Sequence, residues 1–208
     1  MVATRNLLLH TAAAFVVGFG LSVAAVAQTT NAAPPPASTV NADDPFGEQV
    51  TLPEQTIVYV AGSGQWDTAY DTIIAAFKTV NGALNKLGVK PDGAPMTIYT
   101  DTSNDGFKFQ AAVPVKEAPN LPAESEIKVG KSPSGAALKF VHRGSYDAMD
   151  TTYEAITDHL DERKLEAKEL FVEQYMKDPV TTPGDELVID IYVPLKGDAG
   201  AAAGQKGP

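Results

Sequence analysis

The sequence predicts an α+β domain made of two strand-helix-strand-strand modules, internally duplicated, and three observations predict it. Segments 80 positions apart correspond: Thr56 to Val60 with Ala136 to Phe140, Gly64-Gln65-Trp66 with Gly144-Ser145-Tyr146, and Val113 to Lys116 with Val193 to Lys196. Each half holds one segment of helical period, and each holds runs with the two-residue alternation of a strand.

The first half runs over about 54–117. It opens with the β-rich run Ile57 to Val60 and passes Gly64 and Trp66 into a helix, where Tyr70, Ile73, Ile74, Phe77, Val80 and Leu84 recur at spacings of three and four. Gly88, with Pro91 close behind, is a helix stop. Two extended runs follow, Met96 to Thr100 and Phe107 to Val115, joined at the turn pair Asp105-Gly106. The second half, about 136–196, has the same order. A strand from Leu138 to His142 leads into a helix patterned by Met149, Tyr153, Ile156 and Leu160; the runs Leu170 to Met176 and Glu186 to Leu195 then flank the turn Pro183-Gly184-Asp185. Odd positions of 107–113 and 187–193 form an apolar face for a core under the helices. Lys108, Gln110 and Ala112, with Val188, Asp190 and Tyr192, lie on the other face, which is either a ligand-lining surface or the solvated side of an antiparallel sheet.

Outside residues 54–196 the composition changes. Arg5, an apolar run from Leu7 to Val26 and the small-residue pattern Ala25-Val26-Ala27 before Gln28 read as a signal peptide over residues 1–27. A retained anchor is the competing reading; the Ala and Gly content, the interruption at His10 and Thr11 and the lack of a basic stop-transfer cluster count against it. The expected location is periplasmic or secreted, with no membrane association after cleavage. Residues 28–53, with Pro34-Pro35-Pro36, read as a disordered Pro/Ala-rich spacer, and residues 197–208 as a disordered tail.

Charge and residue types exclude several functions. The chain carries 26 acidic against 16 basic residues, a net charge of -10, which opposes nucleic-acid binding and admits cationic ligands. With no cysteine there is no disulfide framework, thiolate nucleophile or Cys-ligated metal. The three histidines, His10, His142 and His159, have no ligand spacing, so neither a metal nor another cofactor is expected.

Val141-His142-Arg143-Gly144-Ser145-Tyr146, then Phe171 to Pro179, then Asp190-Ile191-Tyr192-Val193-Pro194-Leu195 resemble, in order and spacing, the GyrI-like group related to the effector-binding domains of AraC- and MerR-type multidrug regulators. The resemblance implies a pseudo-twofold antiparallel sheet, two helices and a central cleft for lipophilic, often cationic or planar aromatic molecules. It also implies an acid, normally Glu, on the last strand at the cleft floor, where this chain has Asp190. Around that position the candidate ligand-binding residues are Tyr192, Tyr175, Tyr146 and Trp66, whose rings could face a cation. Glu173, two residues from Tyr175, is a secondary carboxylate, and Gln110 is the first-half counterpart of Asp190. Trp66 and Tyr146 open their helices and serve equally as core plugs. The leading expectation is an exported binding protein for a small molecule. Hydrolysis of reactive small molecules by an acid and tyrosines in the same cleft is the enzymatic alternative, without a recognisable nucleophile pair. A non-catalytic cell-envelope interaction module is the third.

Overall fold

The structure is a computed structural model in which residues 44–196 are described. The predicted signal peptide, residues 28–43 of the spacer and the tail lie outside the described residues. The elements are β1 (Phe46–Leu52), β2 (Thr56–Gly64), α1 (Ala69–Leu87), β3 (Met96–Thr102), β4 (Phe107–Pro114), β5 (Lys128–Lys131), β6 (Gly135–Gly144), α2 (Met149–Arg163), β7 (Phe171–Tyr175) and β8 (Leu187–Pro194). The strands form one eight-stranded sheet in the order β1-β6-β8-β7-β3-β4-β2-β5, and every pairing in it is antiparallel. The protein is thus α+β.

The two helices form where the apolar period puts one face on the sheet. Ile73, Ile74, Phe77, Val80 and Leu84 of α1 are buried, and the helix stops at Gly88, whose left-handed φ of 67° lets its N–H reach the carbonyls of Asn85 and Leu84. In α2, Met149, Ile156 and His159 are buried. A one-turn 3-10 segment, Trp66–Thr68 or Tyr146–Ala148, precedes each helix.

The two modules repeat in register as well as order. β2 pairs with β4 from Ile57↔Pro114 to Gly64↔Phe107, and β6 with β8 from Ala137↔Pro194 to Gly144↔Leu187, each partner 80 positions on. On the inner strands the offset drops to 76, since Met96↔Ala112 corresponds to Val172↔Tyr192. The drop matches the helices, 19 residues in α1 and 15 in α2. The modules meet where β3 pairs with β7, and there Thr97 faces Glu173, the residue 76 positions on. Residues that are each other's counterparts and also each other's partners lie on the twofold relation between the modules.

Two strands depart from the expectation. Residues 46–52, read as spacer, form β1 on the edge of β6, and β5, not anticipated, lies on the edge of β2. Both are edge strands, whose burial leaves no continuous apolar period to read. Three residues connect β1 to β2 and three connect β5 to β6, and Gln55 and Ser132 in these links exchange hydrogen bonds of 2.9 Å. Links that short bring the two ends of the strand order together, so the sheet is strongly curved. The main core lies between the sheet and the helices, around Phe77, Phe109, Phe140, Ile189 and Ile191. A smaller cluster of Ile57, Met96, Ile98, Ala112 and Val172 fills the reverse face. Among the described residues no helix is long and apolar enough to cross a membrane.

Candidate functional site

Each helix covers the outer strands of its own module, α1 packing on β2 and β4 and α2 on β6. The seam between β3 and β7 is left for side chains to fill. A cleft of about 520 Å³ opens there, bounded by the first turns before and within α1 and α2 and by Tyr99 and Glu173 from the seam strands.

Glu173 forms the floor and is 1% exposed. Its Oε1 accepts a 2.8 Å hydrogen bond from the Tyr153 hydroxyl, and its Oε2 accepts 2.9 Å from Tyr175 and 3.4 Å from Tyr146. The Tyr146 and Tyr99 hydroxyls are 2.9 Å apart, and with Tyr146 donating to Glu173 the Tyr99 hydroxyl is the donor to it. No lysine, arginine or histidine forms an ion pair with Glu173 among the described residues. Burial pushes the Glu173 carboxyl up to about 7, with the tyrosine hydrogen bonds acting in the opposite direction. Burial, followed by the Glu173 charge, raises all four tyrosines well above their ordinary range, so they remain donors.

The walls are aromatic. Trp66 is 43% exposed, yet its indole N–H donates to the Ser103 carbonyl at 2.8 Å, and its ring lies 6.2 Å from Tyr99 at 21° and 4.8 Å from Phe107. Tyr70 and Tyr146 pack 5.1 Å apart. The indole is therefore held in place while one side stays open. Asp67, Asp71, Asp147 and Asp150 also line the cleft.

The structure brings together Trp66, Tyr146, Tyr175 and Glu173 from the sequence-based candidates and separates the rest. Asp190, Tyr192 and Gln110 lie on the reverse face of the sheet and do not line this cleft. Strand alternation explains the separation: Leu187, Ile189, Ile191 and Val193 of β8 and Phe107, Phe109, Ala111 and Val113 of β4 turn toward the helices, so the residues between them turn away. Asp190 pairs with Lys139 at 2.8 Å, and the Tyr192 hydroxyl lies 3.4 Å from it and 3.3 Å from Gln174 Oε1. The Tyr192 hydroxyl is pushed up to about 12, first by burial and then by the Asp190 charge. Glu173 is the acid of this cleft, which opens on the helix-bearing face; the reverse face carries a smaller cavity of about 140 Å³ whose lining includes Met96, Val172, Gln174 and Tyr192. Tyr70, Tyr99 and Tyr153, which also line the cleft, were not among the sequence-based site candidates, and Tyr70 stood in the helical period of α1. Tyr153 stood in the helical period as core, and Tyr99 is legible only as the counterpart of Tyr175 at the 76-residue offset.

No group of three or more potential metal-ligating His, Asp or Glu side chains occurs among the described residues. Hydrogen-bond donors around one carboxylate, aromatic walls and an acidic opening make a pocket for an organic molecule.

The fold and the cleft define an α+β small-molecule-binding domain. The chain belongs to the GyrI-like small molecule binding domain family, whose profile matches residues 48–196. Among solved structures it is similar to the EcmrR C-terminal domain, with a TM-score of 0.61 and 13% identity over 73% of this chain and 98% of that one. EcmrR in the EcmrR–DNA complex gives a TM-score of 0.62 at 15% identity over 72% of this chain, which spans 57% of the EcmrR chain. SAV2435 bound to tetraphenylphosphonium gives 0.51 at 16% identity, over 73% of this chain and 94% of that one. No curated protein matches the sequence.

Proposed function

We propose that the cleft binds a lipophilic organic cation whose charge rests on Glu173 and whose apolar surface lies against Trp66, Tyr70 and Tyr146. The observation that carries this reading is a carboxylate 1% exposed that receives hydroxyl hydrogen bonds and no protein cation among the described residues. An isolated buried charge is unfavourable, and a counter-ion relieves it. A delocalised cation loses less hydration than a compact ammonium on entering such a site, and aromatic faces add an attraction of ~0.5–2 kcal/mol each. The tetraphenylphosphonium held by the similarly folded SAV2435 supports this ligand class. The leader read in residues 1–27 supports an exported form that meets its ligand outside the cytoplasm.

A second reading, hydrolysis of a reactive small molecule, is favoured by one observation: a carboxyl titrating at about 7 beside tyrosine donors suits a general base with acids at hand. Thermal unfolding with tetraphenylphosphonium and with neutral triphenylphosphine oxide tests the binding reading. At 100 times its dissociation constant the cation should stabilise the fold by ~2.7 kcal/mol and the neutral compound should not. Equal stabilisation by both would remove the charge from the reading. For hydrolysis, an electrophilic substrate incubated with the protein would be recovered altered.

A further inference from the structure

The cleft holds more negative charge than one cation can match, and this inference rests on the cation-binding reading above. Five carboxylates line it: Glu173 at the floor, with Asp67 and Asp71 from the start of α1 and Asp147 and Asp150 from the start of α2. These four aspartates are exposed, and none belongs to an ion pair among the described residues. No lysine, arginine or histidine lines the cleft, although the chain contains 16 lysines and arginines. An acid near a helix N-terminus complements the helix dipole, which accounts for acids at these positions but not for the absence of every base.

The twofold arrangement separates the charges into two levels. At the seam, where the modules meet, Glu173 is paired with its neutral counterpart Thr97, so the floor offers one negative charge. Asp67 and Asp147, 80 positions apart, follow the equivalent aromatic residues Trp66 and Tyr146, so each module contributes acid to the open side. A monocation resting on Glu173 leaves those four like charges unmatched around the entrance. A molecule extended along the seam would pass between the aromatic walls from one level to the other.

We propose that the cleft is selective for a dication: an aromatic or apolar body between two cationic centres, the inner one against Glu173 and the outer one among Asp67, Asp71, Asp147 and Asp150. The outer charge is wet and screened, so it adds selectivity and salt dependence more than depth of binding.

Calorimetric titration of the whole chain with pentamidine, a bis-amidinium, and with its analogue in which one amidine is replaced by a neutral carboxamide tests this at constant size. The bis-amidinium is expected to bind about tenfold tighter at low salt, an advantage that shrinks toward 1 M salt. The variants Asp67→Asn/Asp147→Asn and Asp71→Asn/Asp150→Asn should each lower the affinity ratio of the two compounds. Equal affinities in the wild-type protein, or a ratio unchanged in both double variants, would overturn the proposal while leaving monocation binding intact. Failure of both compounds and of tetraphenylphosphonium would instead remove the binding reading on which it stands.

Discussion

Glu173 is held between opposing forces whose balance sets its behaviour with pH. Burial favours the neutral acid, the tyrosine donors favour the carboxylate, and burial wins, moving the group from 4.5 to about 7. In the unfolded chain the proton leaves near 4.5 and in the folded chain near 7. The stability this group supplies is therefore fully present below 4.5 and lost as pH rises through 7. The difference is roughly 3 kcal/mol. Glu173→Gln cannot lose a proton and should remove this component, so the variant should gain on the wild type between pH 5 and pH 8, as denaturant unfolding at both values reads. At this scale the sequence named four side chains that the fold brings together around the cleft, and ranked Asp190, which lies elsewhere, above them. Trp66, Tyr146, Tyr175 and Glu173 were legible as a group; Asp190 outranked Glu173 because a lone acid in an apolar strand stands out, while its partner Lys139 comes from a neighbouring strand that only the fold reveals.

Among the elements, the periodic ones were readable and the edge strands were not. The helical spacing and the paired runs specify their own burial, whereas β1 is defined by what it meets on β6 and α2. Phe46 packs edge-on against Phe140 at 5.1 Å and His159 at 5.4 Å. Asp44 anchors the strand's approach through two hydrogen bonds from Arg143, at 2.6 and 2.8 Å, which hold its carboxyl below the usual range. Between these contacts Gly47 has a left-handed φ of 74°, and a methyl group there would overlap the His159 ring. Gly47→Ala should therefore destabilise the protein by about 1–3 kcal/mol, seen as a lower denaturation midpoint. A wild-type midpoint in that variant would mean that β1 is not docked as described.

For the whole molecule, the cleft is a consequence of building one sheet from two modules. Each helix packs mainly on the outer strands of its own half, and the seam between them is filled by side chains including Tyr99, Tyr146, Tyr153, Phe171, Tyr175 and Glu173. Repetition at an 80-residue offset was visible in the sequence because it preserves apolar positions. The change to 76 on the inner strands was not, because a missing helical turn in α2 is compensated by a longer β7–β8 connection before the outer strands realign. That shift is what makes Thr97 the counterpart of Glu173 and leaves one charge on the seam.

The measurement that tests the central claim most directly is calorimetric titration of tetraphenylphosphonium into the wild type and Glu173→Gln at pH 6 and pH 8. The wild type should bind more weakly at pH 6 than at pH 8, because below about 7 the proton competes with the cation, by up to tenfold per pH unit. Glu173→Gln should bind at least ~100-fold more weakly than the wild type at pH 8, with no change between the two pH values. Binding by Glu173→Gln as tight as that of the wild type would contradict the account.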